Sequence, residues 1–282
     1  MRRRIIIFLL LIALVLLGAA AGHFLLGWWQ PSYPVVTETS GGGDVTLRQT
    51  ATLPEVLETA RQALKEIESN VRDYSAVIVS QERIGNKLVE RTMFVKIREK
   101  PFSAYLYFLA ASNEDIKGRE VLYIQGRNNG NLTAHTPGLL DKTLGKLNLP
   151  PGGLLAMNGQ RHPITDLGLS NLCRQLIQRG EAAEDPGQVK VQRCAHARIN
   201  TRACTLLEVT FPVREKKNWA YLARIFLDDE RHFPIRVEIY ELPRDRKQGP
   251  QLAEEYTYLD LKLNNGYTDA DFEPKNRQYK FP

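Results

Sequence analysis

The sequence predicts a mainly β, α+β fold: one large antiparallel sheet with a few helices, preceded by a single N-terminal transmembrane helix. Three patterns carry this expectation. Runs of period-two alternation follow one another without helices of crossover length between them, which selects sequential antiparallel strands over βαβ units. Two segments carry apolar residues at helical spacing. Finally, the first 29 residues contain an apolar run too long for an ordinary surface helix.

From Ile5 to Trp29 the one markedly polar side chain is His23. A helix needs about 20 apolar residues to cross the hydrocarbon core, whereas a secretory h-region has about 7–15. Length therefore favours an uncleaved signal-anchor over residues 1–29, closed by Trp28 and Trp29 as an interfacial belt. The small residues of "GAAAG" leave cleavage by a signal peptidase as the alternative. The positive-inside rule puts Arg2, Arg3 and Arg4 in the cytoplasm and the bulk of the chain outside it. Those three arginines supply half of the formal net charge of +6, and basic residues elsewhere are interleaved with acids, as in "VREKKNW". With no helix-turn-helix, zinc-finger or aromatic RNA-binding signature, nucleic acid is not an expected partner.

Residues 30–51, rich in Pro, Ser, Thr and Gly, read as a flexible linker, and the folded domain is expected over 52–282. With 43% hydrophobic residues the chain can build a sizeable core. In "TLPEVLETARQALKEIESNV" the residues Leu53, Leu57, Ala60, Leu64, Ile67 and Val71 form one helical stripe. Thr52 and Glu55 have capping-box spacing, and Pro54 falls in the first turn, where its missing N–H is tolerated. After Asp73 the period becomes two. Two long strands meet at "GNK", and shorter ones follow in "SAYLYFLA", "REVLYIQGR" and "NLTAHT".

Over residues 137–164 Gly and Pro recur too often for one long helix, which predicts short turns and a mobile loop. A second helix follows, capped by Thr165 or Asp166, with Leu169, Leu172, Cys173, Leu176 and Ile177 as its stripe and Gly180 as its end. Strands resume from Val189 in "VKVQRCA", "CTLLEVTFP", "AYLARIFLD", "FPIRVEIYE" and "EEYTYLDLKL".

Motifs for chemistry are absent. No Walker A loop, HExxH, Cys-x-x-Cys or GxSxG occurs, so no catalytic residue, metal site or cofactor is assigned. His135, His162, His196 and His232 are isolated in sequence and would need to converge in space with acids to support an enzyme. Cys194 and Cys204 flank a turn at Asn200 and are a disulfide candidate, whereas Cys173 reads as a buried thiol on the second helix. The acid-rich stretch "IFLDDERHFPIRVEIYE" resolves by its own alternation. Ala223, Ile225 and Leu227 share a face with Ile235, Val237 and Ile239, while Arg224, Phe226 and Asp228 oppose Arg236, Glu238 and Tyr240. Asp229, Glu230 and Arg231 then form a solvated turn; a calcium loop would need further oxygen ligands.

These residues carry a resemblance. Lys100-Pro101, Asp228 with Pro234 to Tyr240, and Tyr258 to Pro274 resemble motifs of the LolA/LolB-like lipoprotein carrier superfamily. "ITDLGL", "CTLLEV" and "IFLDDERHFPIRVEIYELP" are more specifically similar to a bacterial family of membrane-anchored proteins, the domain of unknown function numbered 1571. The resemblance spans roughly residues 52–276 and rests on structural motifs. It implies a curved sheet forming an incomplete β-barrel, helices on the concave side, and an apolar cavity between them. With such a cavity, the one-sided alternation makes Ile225, Leu227, Ile235, Val237 and Ile239 its candidate lining, and the Gly/Pro-broken apolar segment with Leu154, Leu155 and Met157 a candidate lid. The implied protein is a non-enzymatic, membrane-anchored binding module on the periplasmic side of the bacterial inner membrane. Its expected ligand is a lipid, a lipoprotein or another apolar molecule; a sensor or scaffold that binds an envelope protein is the alternative, and an enzyme of unrecognised type the second.

Overall fold

A computed structural model of the chain describes residues 38–39, 48–136, 145–183, 185–211, 220–242 and 249–282. The candidate anchor over residues 1–29 lies outside them. Among the described residues no helix is long and apolar enough to cross a membrane.

Thirteen strands form a single antiparallel sheet. In chain order they are β1 (Glu38–Thr39), β2 (Arg48–Ala51), β3 (Asp73–Ile84), β4 (Lys87–Arg98), β5 (Ser103–Ala111), β6 (Glu120–Ile124), β7 (Leu132–His135), β8 (Lys146–Leu149), β9 (Lys190–Ile199), β10 (Arg202–Thr210), β11 (Leu222–Asp228), β12 (Pro234–Glu241) and β13 (Gln251–Leu263). They follow the order β1-β9-β10-β11-β12-β13-β3-β4-β5-β6-β7-β8, with β2 also paired to β9. Two meanders, β3 to β8 and β9 to β13, are thus joined by the long-range pairing of β13 with β3. The sheet begins earlier than the alternation indicates. β1 and β2, within the span read as linker, pair with β9 because that strand otherwise offers a free row of backbone groups.

The helices are α1 (Leu53–Asn70) and α2 (Leu169–Glu181). α1 starts as its sequence specifies: the Thr52 N–H donates to Glu55 Oε2 at 2.6 Å, and the Glu55 N–H to Thr52 Oγ1 at 3.4 Å. Its buried face is Leu53, Val56, Ala63 and Ile67, broader than the stripe in the sequence, because α2 flanks it as well as the sheet. α2 begins three residues after Asp166, with Gly168 at its N-cap and no cap bond from its own side chains. The cap comes from the sheet instead: the Leu169 N–H donates to Tyr74 Oη at 2.8 Å. Gly168 is required there, since its φ is +110° and a Cβ would meet that hydroxyl at 3.2 Å. Gly180 lies inside the helix and is a packing position, where a Cβ would come within 2.6 Å of Leu57 Cδ2.

Both helices sit on one face of the sheet, in buried clusters that include strands far apart in it. Ala63 and Ile67 of α1 share a cluster that reaches Leu132 of β7, whereas Leu53 and Val56 share another that reaches Val191 of β9. β9 and β7 are nine places apart, about 43 Å in a flat sheet, while a helix is about 10–12 Å across. The sheet must therefore curl around the helix pair. Among the described residues its edges, β8 and the β1/β2 side, are not paired with each other, so the barrel they form is incomplete. The outer face carries a further apolar cluster, Cys194, Ala197, Ile199, Cys204, Leu206, Phe226, Ile235 and Leu259.

The membership of Ile235 in that outer cluster corrects the alternation drawn across the β11–β12 hairpin. Arg236 pairs with Phe226 and Pro234 with Leu227, so Ile235 is an extra residue on β12. The bulge sends its side chain outward while Val237 and Ile239 stay inward. The "DDER" turn is also more than a solvated tip. Asp228 is buried and accepts the N–H groups of Glu230 and Arg231 at 2.9 and 3.1 Å, and Arg202 Nε at 2.7 Å.

All three cysteines are free and buried. Cys204 opposes Ala197 and Cys194 opposes Leu206, two residues further along the strand. That offset adds about 7 Å of rise to a strand spacing of about 5 Å, beyond the ~7 Å Cα separation a disulfide spans. Burial raises the Cys173 thiol to about 12 and the Cys204 thiol to about 11.

Titration of the unfolded, unreduced chain with a thiol reagent should count three free cysteines; a count of one, with Cys173 the thiol labelled in a peptide map, would establish a Cys194–Cys204 bond. Asp228→Ala, which strands two backbone donors and Arg202, should lower the unfolding free energy by about 2–3 kcal/mol in urea denaturation. An unchanged midpoint would show that the turn holds without it.

Candidate functional site

The inner face carries an apolar seam between the helices and β10 to β12. A cavity of about 30 Å³ remains there, lined by Leu53, Val56, Leu57 and Ala60 of α1, by Cys173, Leu176 and Gly180 of α2, and by Leu207, Val209, Phe211, Ala223, Ile225, Leu227 and Pro234 from the sheet side. Thr59, the one hydroxyl on its wall, donates to the Glu55 carbonyl at 2.9 Å and so offers no free polar group. The volume suits about one or two water-sized bodies. An extended chain would fit only if the helix pair moved off the strands.

Of the residues singled out in the sequence, Ile225 and Leu227 line this cavity, and Val237 and Ile239 belong to the same apolar cluster. Ile235 is on the other face. Leu154 and Leu155 do not cover the cavity: they are 94% and 73% exposed. Their loop closes on itself, through Gly153 N–H to the Pro150 carbonyl and Met157 N–H to the Gly153 carbonyl, both at 2.9 Å. Ala156 packs against the β3–β7 half of the core, away from the seam, and Met157 is half-buried outside the cavity wall.

One row of cross-strand partners runs along the inner face through Val209, Ala223, Ile239, Glu254 and Glu82. The step from Ile239 to Glu254 takes it from apolar seam to buried acid. Glu254 is 4% exposed and receives His162 Nε2 at 2.5 Å, Arg161 Nε at 3.2 Å and Arg179 Nη1 at 3.1 Å. Glu82, equally buried, receives Arg91 Nη1 at 3.0 Å, the Arg161 N–H at 3.2 Å and the Tyr256 hydroxyl. Arg161 also reaches Glu241 at 2.9 Å, and the Gly159 carbonyl accepts from Arg91. Burial opposes ionisation of Glu254, but His162, by its hydrogen bond and charge, and Arg179 outweigh it and hold the carboxyl down at about 2. Burial, with Glu82 and Glu254 beside it, pushes the Tyr256 hydroxyl far above its ordinary range, so it is a donor at every relevant pH.

Sequence reading singled out His162 of this cluster but missed Glu82, Arg91, Arg161, Arg179, Glu254 and Tyr256. A signal was present: Glu82 continues the inward register of Tyr74, Ala76 and Ile78, where a carboxylate is out of place without partners. The histidines do not converge. His135 is buried beside Glu120 at 3.6 Å, and His196 and His232 are exposed on β9 and on the β11–β12 turn. Among the described residues no three His, Cys, Asp or Glu side chains are placed to hold a metal ion.

The architecture defines an open antiparallel half-barrel closed over a helix pair, the class of fold to which the motifs around Pro101, Asp228 and Phe272 point. The family model described as Protein of unknown function (DUF1571) matches residues 71–281, well over half of the chain, and the protein belongs to that family. Three solved structures give the scale of more distant likeness. An uncharacterised conserved protein from Thermus thermophilus is 13% identical, over 77% of this chain and 96% of its own, at a TM-score of 0.43. The Mycobacterium tuberculosis lipoprotein LppX is 16% identical, over 76% and 98%, at 0.42. A LolA superfamily protein from Nitrosomonas europaea is 13% identical, over 79% and 98%, at 0.30. No curated protein matches the sequence.

Glu254→Gln removes the anion that His162, Arg161 and Arg179 share, and should destabilise the fold by about 3–5 kcal/mol in chemical denaturation. In the native protein the depressed carboxyl should stabilise the fold by on the order of 3 kcal/mol, fully present above the ordinary carboxylate pKa of about 4 and lost as pH falls toward 2. Acid unfolding of the wild type should be steep in that window and shallower in Glu254→Gln. Identical acid profiles would mean that Glu254 contributes nothing.

Proposed function

We propose that this protein is a membrane-anchored, non-enzymatic module of the bacterial cell envelope that takes up an apolar chain in the seam between its helix pair and strands β10 to β12. The observation that carries the proposal is the seam itself. It is an incompletely filled apolar cavity whose two walls are separate layers, one of helices and one of strands, so that it can widen by motion of one layer. The helix layer is joined covalently to the rest of the chain only at the helix ends. The ionic group that follows the seam in the same cross-strand row suits a ligand with one polar end, and so an amphiphile such as a lipid or the acyl portion of a lipoprotein. The apolar run over residues 1–29 supports anchoring in the inner membrane with the domain on its periplasmic side.

The test is binding of a fluorescent fatty acid to the detergent-solubilised full chain, with mass spectrometry of the lipids that copurify. Ala223 lines the cavity and is 1% exposed. Ala223→Leu fills the space at a cost of about 1–3 kcal/mol, and should abolish probe binding while the circular dichroism spectrum stays that of a folded β protein. No binding by the wild type, or equal binding by a folded Ala223→Leu, would overturn the proposal.

A further inference from the structure

Large hydrophobic side chains exposed on the described residues are Leu147, Leu154 and Leu155, all within nine residues of one another. Leu147 is on β8, the free edge of the sheet, and is 39% exposed; the other two cap the turn that follows. Exposing leucines singly is ordinary, but gathering them on one projection while the rest of the described surface has none is the pattern of a docking site. The projection is held, not collapsed. Beyond its internal turn it is pinned to the sheet by Arg91 at the Gly159 carbonyl and by Arg161 and His162 at Glu254.

Charge selects the kind of surface that would cover it. From Lys142 to Thr165 the chain contains no acidic residue. Lys146, next to Leu147 in sequence, is exposed and stands on the wall of a mainly apolar groove of about 300 Å³, whose lining includes Leu122 and Phe272 and whose charged groups are Lys146, Arg127 and Glu273. Arg127 is already paired with Asp269 and Glu273, whereas Lys146 has no acidic partner among the described residues and is the cation on this wall that an outside anion would meet. Exposed leucines within nine residues of an exposed lysine match the chemistry of an anionic bilayer, in which acyl chains lie below phosphates.

We infer that the β8 edge and the 150–157 turn dock on an anionic phospholipid surface, with Leu154 and Leu155 in the acyl region and Lys146 at the lipid phosphates. Proximity rests on the anchored reading above: the eight residues 30–37 between the apolar run and β1 can span at most about 30 Å, which keeps the domain within reach of its own membrane. Docking there would place the protein's most apolar surface against the source of its ligand.

The experiment uses the full chain reconstituted into phosphatidylcholine vesicles with or without phosphatidylglycerol. An environment-sensitive fluorophore is attached at Leu155→Cys or, as a control, at the exposed Glu230→Cys; the three native thiols are buried. With phosphatidylglycerol present, the probe at 155 should shift to the blue and lose most of its emission to nitroxides on the acyl chains, while the probe at 230 should not. Lys146→Glu should restore most of the emission at 155. An unquenched probe at 155 overturns the inference, including the case in which it is shielded from aqueous quenchers by a protein partner. Quenching indifferent to phosphatidylglycerol and to Lys146→Glu overturns the assignment of Lys146. Extraction of the vesicles at alkaline pH separates this from the reading on which it rests: a chain released into the supernatant refutes the anchor, whereas a retained chain with an unquenched probe refutes the docking alone.

Discussion

The inner face depends on the neutralisation of one buried carboxylate. Glu254 belongs to β13, the strand through which the two meanders are joined, and it receives a histidine and an arginine from the 159–162 segment and an arginine from α2. A lone carboxylate at 4% exposure would be protonated or expelled. Two arginines and the His162 hydrogen bond instead keep it ionised, and in doing so they tie a helix and a loop to the sheet at a single point. The neighbouring Glu82 repeats the arrangement with Arg91 and Tyr256. Buried ion pairs of this kind specify geometry more than they add stability, because the desolvation of each charge offsets most of the attraction.

Fastening at this point has a consequence for the seam beside it. α2 is held near its C-terminal end by Arg179 and near its N-terminal end by the Tyr74 hydroxyl, both contacts to strands on the β13–β3 side. Across β10 and β11 its contacts are apolar, with Leu176 and Gly180 facing Leu207, Ala223 and Ile225 over a small void. Directional bonds resist displacement by losing most of their energy within an ångström, whereas apolar contacts can be exchanged for those of another apolar body at little net cost. The helix pair is therefore firmly attached on one side and exchangeable on the other. That asymmetry is what a binding seam requires.

Much of the architecture was legible in the sequence because it follows from local chemistry. The Thr52 and Glu55 capping box, the Gly-Asn hairpin between β3 and β4, the turn at Asn200 and the burial of Cys173 each depend on residues within a few positions of one another. The antiparallel meanders followed from period two together with the lack of crossover helices. The candidate site was legible in part: Ile225, Leu227, Val237 and Ile239 face the helices as their alternation requires. Ile235 does not, because one inserted residue in β12 reverses a side chain, and bulges leave no mark in an apolar alternation. Leu154 and Leu155 were read as a lid on composition alone. Where that segment closes is decided by Arg161 and His162 finding Glu254, more than ninety residues away.

The sequence by itself determined strands β3 to β7 and β9 to β13, the helix that begins after Thr52, the apolar N-terminal run and the family motifs around Asp228 and Phe272, since each is encoded by periodicity or by neighbours along the chain. The tertiary structure alone decided the pairing of β13 with β3, the curl that brings β7 and β9 to the same helices, the charged group around Glu254 and the direction in which Leu154 and Leu155 point. These depend on contacts between residues far apart in the chain. Loop closure over such distances is paid for by the whole fold, and no local preference records which partners it will bring together.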